Sequence, residues 1–238
     1  MPSQSPDQYY RSYRFLSGNA LKVIAAIFMT IDHMGELLFP HLRILRILGR
    51  IAMPIFAFMI AEGCKYTRNR WKYFGMVFGL GAICQVVYYF FDGSLYMSIL
   101  ITFSLSILTI YALQYWKQKK TVLSGLVFAG VVAAVYGLNQ VLTIDYGFWG
   151  CMLPVFAAIP HGTKYDRDRL SNTLLGVGLI PMAPSMGGLQ IFSLMALPFL
   201  YCYTGKRGKA NLKYFFYIFY PLHLVVLQGI AMLMWYLK

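Results

Sequence analysis

Acidic side chains are scarce in this chain. Asp and Glu number 8 among 238 residues against 21 Lys and Arg, and charged residues together reach only 12%. Soluble domains carry roughly twice that share. Hydrophobic residues make up 59% and are spread along the whole length, which excludes a separate soluble domain. Cysteine is also sparse. Cys64, Cys84, Cys151 and Cys202 form no CxxC and no metal-type spacing, so they read as buried apolar residues and no metal is expected. Residues 1–15 are polar, with no apolar core and no cleavage site, and so do not read as a signal peptide. The first spanning helix is expected to act as the insertion signal.

What the chain does have is long apolar runs. Backbone groups in lipid must bond internally, and continuous rather than alternating runs favour helices over a barrel. The expected fold is all-α, a polytopic transmembrane bundle of about nine helices. The runs fall at 21–39, 44–64, 73–91, 96–116, 122–138, 148–160, 173–183, 189–203 and 214–237. The sixth and seventh are short enough to be broken or re-entrant, since a crossing takes roughly 17–25 residues. Residues 1–16 read as a polar cytoplasmic segment and 17–238 as a single membrane domain. Aromatics at 17% suit two interface belts.

The net charge of +13 would suggest nucleic acid in a soluble chain. Here the basic residues sit between hydrophobic runs, so they are topology signals and nucleic acid is not expected as a partner. Every second run ends in a cluster: Lys65, Arg68, Arg70 and Lys72; Lys117, Lys119 and Lys120; Lys164, Arg167 and Arg169; Lys206, Arg207, Lys209 and Lys213. Arg11 and Arg14 join them, whereas the opposite side has Arg43, Arg46 and Lys238. Lys and Arg in short loops favour the cytoplasm. The N-terminus is therefore expected inside and the C-terminus outside. Gly75 and Gly79 form a GxxxG, which reads as helix packing. No strong internal repeat is present, unlike many transporters.

Ionisable groups inside a span are costly and mark function by default. Helix 1 reads LKVIAAIFMTIDHMGELLF. Lys22 and His33 lie within about 20° of one face, roughly 16 Å apart along the axis. Glu36, three residues past His33, shares that face. Asp32 points about 100° away and reaches His33 only through a bend, a water or a second helix. In RILGRIAMPIFAFMIAEG, Pro54 frees the carbonyl of Arg50 and predicts a kink beside that guanidinium. Arg50 is positioned to neutralise Asp32 or Glu36, or to hold an anion. Glu62 sits at the inner end. His223 follows Pro221, and Asp145 opens the turn IDYGFWG at the outer face. Structural readings stand beside these: a satisfied core histidine, an ion pair, a turn residue, and topology alone for the Lys65, Arg68, Arg70 cluster.

The stretches LKVIAAIFMTIDHMG, GRIAMPIFAFMIAEGCKYTRNRWKY, DYGFWG and KYFFYIFYPLHLVVL, in this order, resemble the TraX family of bacterial membrane proteins, named for the F-pilin acetylation protein. The resemblance covers nearly the whole chain after Leu16. It implies an acyl group, acetyl foremost, drawn from cytoplasmic acyl-CoA and delivered to an amine or hydroxyl acceptor at the outer side of a bacterial cytoplasmic membrane. The acceptor would be a peptide amino terminus, a glycan or a small molecule.

By that resemblance His33 carries the chemistry, as general base or acyl acceptor, with Asp32 beside it. Glu62, Asp145 and His223 match other motif positions, as does Arg50. Histidine has the unperturbed pKa that proton removal needs, and Arg50 is a candidate for holding the developing oxyanion. Asp32, His33 and Arg50 are thus the expected catalytic group, and Glu36, Glu62, Asp145 and His223 the expected substrate contacts. Lys22, Lys65, Arg68 and Arg70 are the expected phosphate contacts. Three rival readings are a proton-coupled transporter or flippase using the same carboxylates and histidines, a haem held between His33 and His223, and an interaction or assembly protein whose polar groups are purely structural.

Overall fold

The computed structural model describes residues 13–93, 95–160, 164–210 and 212–237. Most of the expected segment 1–16 lies outside them, as do Arg11, Lys238 and the side chains of Lys164, Arg167 and Lys213.

Helix α1 spans Gly18–Leu37 and starts where the Ser17 hydroxyl accepts from the Ala20 amide. The second run splits into α2, Arg43–Gly49, and α3, Ala52–Tyr66. The break falls at Arg50 and Ile51, where the missing N–H of Pro54 leaves the Arg50 carbonyl without its helical donor. Helix α4 (Arg70–Asp92) starts on an Asn69 cap and ends at Gly93, whose φ of 62° is the left-handed stop glycine supplies. Helices α5 (Ile99–Lys119) and α6 (Val122–Val141) follow, the latter entered through a Thr121–Ser124 capping box.

Then come α7 (Gly147–Ala158) and α8 (Lys164–Leu179). The chain returns through 3₁₀ turns at Ile180–Met182 and Ser185–Ala196 into α9 (Leu197–Tyr201). Helix α10 is Lys213–Tyr236. With α2 and α3 taken as one interrupted helix, the described helices follow the order of the apolar runs. The described residues contain no strand, only isolated bridges at Leu16–Tyr203 and Met97–Ile144.

Three differences from expectation bear on the fold. The fourth helix begins at Ile99 rather than 96, because Met97 exchanges backbone bonds with Thr143 and Asp145 (2.9 Å each). The seventh begins at Lys164 rather than 173, so its first turns are polar. The eighth is mostly 3₁₀ turn, and Pro184 and Pro198 flank it. At about 2.0 Å rise per residue, these tighter turns plus α9 cover about 31 Å, close to a hydrocarbon thickness.

Among the described residues, five helices are long and apolar enough to cross a membrane: Arg43–Tyr66, Arg70–Phe91, Ile99–Lys119, Val122–Val141 and Tyr214–Tyr236. This is a membrane protein. About half the residues in the spans through α3 and α5 are buried, whereas few in α4 and α6 are. Val122, Leu123, Leu126 and Val141 on α6 are exposed apolar residues that suit lipid. Helix α7 is only 12 residues but packs among α3, α5, α6 and α8 at the centre, away from lipid. Lys117 reaches over to donate to the Ala158 carbonyl (3.4 Å) at its C-terminus. Cys64, Cys84 and Cys151 are buried and free, as read, whereas Cys202 is free but only half-buried.

The GxxxG reading is corrected. A Cβ at Gly75 or Gly79 would meet nothing within 4 Å, so neither glycine brings helices together in this chain. Close approaches fall at other glycines, among them Gly63 against Tyr73, Gly178 against Phe156, and Gly35 and Gly49 between α1 and α2. A Cβ on Gly35 would sit 2.7 Å from the Leu45 Cβ, and one on Gly49 would overlap the Asp32 side chain. These two glycines let α2 lie against α1.

Candidate active site

The α1–α2 contact builds the site. Asp32, buried on α1, faces Arg50 at the α2–α3 break, and Nη2 of Arg50 donates to both Asp32 carboxylate oxygens. Nη1 donates to the Tyr146 hydroxyl (3.2 Å) and to Oε1 of Gln190 (3.4 Å), and Nε to the Arg46 carbonyl (3.2 Å). Every nitrogen of the guanidinium is engaged, and the residue is 1% exposed. Arg50 therefore acts here as a hub joining α1, α2, α7 and the 3₁₀ segment. A free oxyanion holder would keep donors open. Gln190 is held in turn, donating to Ser193 (2.6 Å).

Arg46 is the nearer cation to open space. Its Nη1 donates to Asp32 (3.0 Å) and to Glu36 (2.8 Å), whose side chain is half exposed. Asp32, His33 and Glu36 place one ligand atom each within 4.8 Å of one another. Two guanidinium groups already neutralise both carboxylates, so the donor set does not suit a divalent cation.

His33 meets His223 of α10. Nδ1 of His33 lies 2.9 Å from Nε2 of His223, and Nδ1 of His223 lies 3.1 Å from the Phe219 carbonyl. A carbonyl only accepts, so His223 carries its proton on Nδ1. Its Nε2 then accepts from Nδ1–H of neutral His33, which leaves the lone pair of His33 on Nε2. The rings bond to each other directly, which is not the arrangement of two axial ligands across an iron.

Asp145 lies in the turn before α7, outside the spans. Its carboxylate accepts from the Tyr96 hydroxyl (2.7 Å), and its carbonyl from the Thr102 hydroxyl (2.7 Å). Burial pushes the Asp145 carboxyl up to about 6, opposed by the Tyr96 bond and the Arg50 charge. Burial and the neighbouring Asp145 charge raise the Tyr96 phenol. Tyr146 has a φ of 59°, a left-handed conformation costing a non-glycine residue about 1–2 kcal/mol. That conformation accompanies its hydroxyl's contact with Arg50.

These groups line a cavity of about 260 Å³ that includes Asp32, His33, Glu36, Arg46, Asp145 and Tyr146. A second cavity of about 460 Å³ opens toward the basic end, where Lys22, Glu62 and Arg207 line it. Its body is apolar, with Met59, Ile60, Val77 and Leu80. Glu62 accepts from Lys65 (3.1 Å) and from Tyr203 (3.3 Å).

The structure thus gathers Asp32, His33, Glu36, Arg50, Asp145 and His223 in one place. It sets Lys22 and Glu62 in the other cavity. Lys65 lines a neighbouring pocket, Arg70 stacks over Tyr111 (5.5 Å), and neither they nor Arg68 line these two cavities. Arg46, Tyr96, Tyr146, Gln190, Tyr220 and Arg207 belong to the lining or the network and were not singled out from sequence. Arg46 had a usable signal, since it precedes Arg50 by one helical turn. Gln190 and Tyr96 had none.

The architecture and site define a polytopic helical membrane protein with a buried polar centre. The sequence profile of the TraX protein family matches residues 17–231, and the chain belongs to that family. It is 28% identical to a probable fimbrial assembly protein FimC, serogroup H1, of Dichelobacter nodosus, over 89% of this chain and 94% of that one. A 38-residue stretch is 63% identical to an uncharacterized protein of Rickettsia prowazekii, covering 16% of this chain and 15% of that one. No solved structure matches.

Proposed function

We propose that this protein is an acyl-CoA-dependent transmembrane acyltransferase, acetyl being the expected group, of the bacterial cytoplasmic membrane. It draws the donor from the cytoplasmic, basic end and acylates an amine or hydroxyl in the outer cavity. The observation that carries this reading is the hydrogen-bonded series from His33 to His223 to the Phe219 carbonyl. It presents a histidine lone pair in a polar cavity that abuts an apolar cavity with a cationic mouth.

In the reaction, the acceptor nitrogen or oxygen bonds to the thioester carbonyl carbon and the carbon–sulfur bond breaks. The acceptor's proton goes to Nε2 of His33 and then to the departing thiolate, releasing CoA as its thiol. His223 keeps the Nδ1 proton of His33 in place, so that Nε2 stays the base. Asp32 and Arg50 act by position: they hold α1 against α2. Arg46, the cation nearer the open cavity, favours the oxyanion that forms beside it. Lys22 and Arg207 are the first candidates for the donor's phosphates, with Lys65, Arg68 and Arg70 available further along the same end.

Membership in the TraX family, named for pilin acetylation, and likeness to a fimbrial assembly protein support a surface-filament subunit as the acceptor. The test is thiol release from acetyl-CoA by purified protein. Saturable release that falls about 10²–10⁴-fold in His33→Ala is expected. Full release by a folded His33→Ala protein would overturn the mechanism. Two cavities on either side of a constriction also suit the transporter reading, which predicts substrate movement without CoA release.

A further inference from the structure

The two cavities share three lining residues: Met29 of α1, Phe56 of α3 and Tyr220 of α10. They come from three different helices and sit where the apolar, basic-end cavity gives way to the polar one. The Tyr220 ring also stands edge-on to His223 at 5.4 Å, so the constriction adjoins the histidine pair.

We propose that Met29, Phe56 and Tyr220 form an acyl-length filter between a donor cavity and an acceptor cavity. This rests on the acyltransferase reading above. A thioester entering from the basic end must pass these three side chains before its carbonyl comes within reach of His33. The acyl tail leads, because the CoA phosphates stay with Lys22 and Arg207 at the mouth. Beyond the filter lie about 260 Å³ lined by Asp32, Glu36, Arg46 and Asp145, and the acceptor must share that space. Each further methylene gives up apolar burial if it leaves an apolar cavity for a polar one. A long chain is therefore both obstructed by the ring of Phe56 and poorly received behind it. A two-carbon group meets neither obstacle.

The experiment compares kcat/KM for thiol release from acetyl-, butyryl- and octanoyl-CoA, with hydroxylamine as acceptor. Wild type, Phe56→Ala, Met29→Ala and Phe56→Trp are measured. Wild-type activity is expected to fall with each longer chain. Phe56→Ala should lower the acetyl-to-butyryl ratio at least tenfold, and Met29→Ala should lower it in the same direction. Phe56→Trp should raise it while CoA itself binds as before. Met29→Ala reads the same ratio from another helix if Phe56→Ala does not fold. Unchanged ratios in folded variants, with wild type active, overturn the filter alone. Absence of thiol release from every acyl-CoA by wild type overturns the acyltransferase reading and the filter with it.

Discussion

Replacing Asp32 or Arg50 tests the hub, and the two changes should not cost the same. Asp32→Asn leaves a guanidinium that is 1% exposed facing Tyr146, Gln190 and the Arg46 carbonyl, with no carboxylate against Nη2. Breaking a buried pair costs roughly 3–5 kcal/mol, and this variant belongs at the upper end. Arg50→Met leaves the Asp32 carboxylate, but Arg46 still reaches it at 3.0 Å, so the cost belongs at the lower end, about 3 kcal/mol. The double variant removes both charges and buries no orphan. It should recover about 2–3 kcal/mol relative to the sum of the singles, the upper range of measured couplings between contacting residues. Unfolding titrations in detergent, followed by fluorescence of the four tryptophans, supply the cycle. Additivity within about 0.5 kcal/mol would refute the pair as the joint between α1 and α2.

Gly49→Ala should destabilise by about 1–3 kcal/mol, because its Cβ overlaps the Asp32 side chain. Gly75→Ala, with open space around it, should cost nothing and gain up to about 1 kcal/mol of helix propensity. Thermal melts distinguish the two. His223→Gln should retain more acyl transfer than His223→Ala, since Oε1 of Gln can still accept from His33. Equal losses, with the same pH profile, would remove His223 from the positioning of the base. Asp145 holds its proton up to about pH 6 when folded and releases it near 3.8 when unfolded. The folded state thus binds more protons in that window, and stability falls as pH rises through it. Asp145→Asn should gain melting temperature over wild type between pH 4 and 7.5, as parallel melts would show.

Much of the fold was readable because lipid imposes a simple rule. Apolar runs of about 20 residues must be helices, and Lys and Arg mark one side. The break at Arg50 followed from Pro54. The eighth crossing was not readable, since apolar content does not separate an α-helix from 3₁₀ turns and only the flanking prolines hinted at it. The GxxxG at Gly75 misled for a related reason. Spacing creates a smooth face but does not say what packs on it, and the glycines that let α2 lie against α1, Gly35 and Gly49, follow no such motif. In the site, Asp32 and His33 sat adjacent in sequence, yet the helix turns them to different partners: Asp32 to Arg50 and His33 to His223.

The sequence by itself determined that this chain lies in a membrane, where its apolar helices run and which few ionisable groups stand in apolar surroundings. Those properties depend on local composition and helical period. The pairing of His33 with His223, 190 positions away, was decided only by tertiary packing, as were the full occupation of Arg50 and the meeting of two cavities at Met29, Phe56 and Tyr220. Each depends on which faces of separate helices touch, and in lipid that choice is made by close fit and buried hydrogen bonds. Hydrophobicity, the signal that marks the helices, does not distinguish their faces.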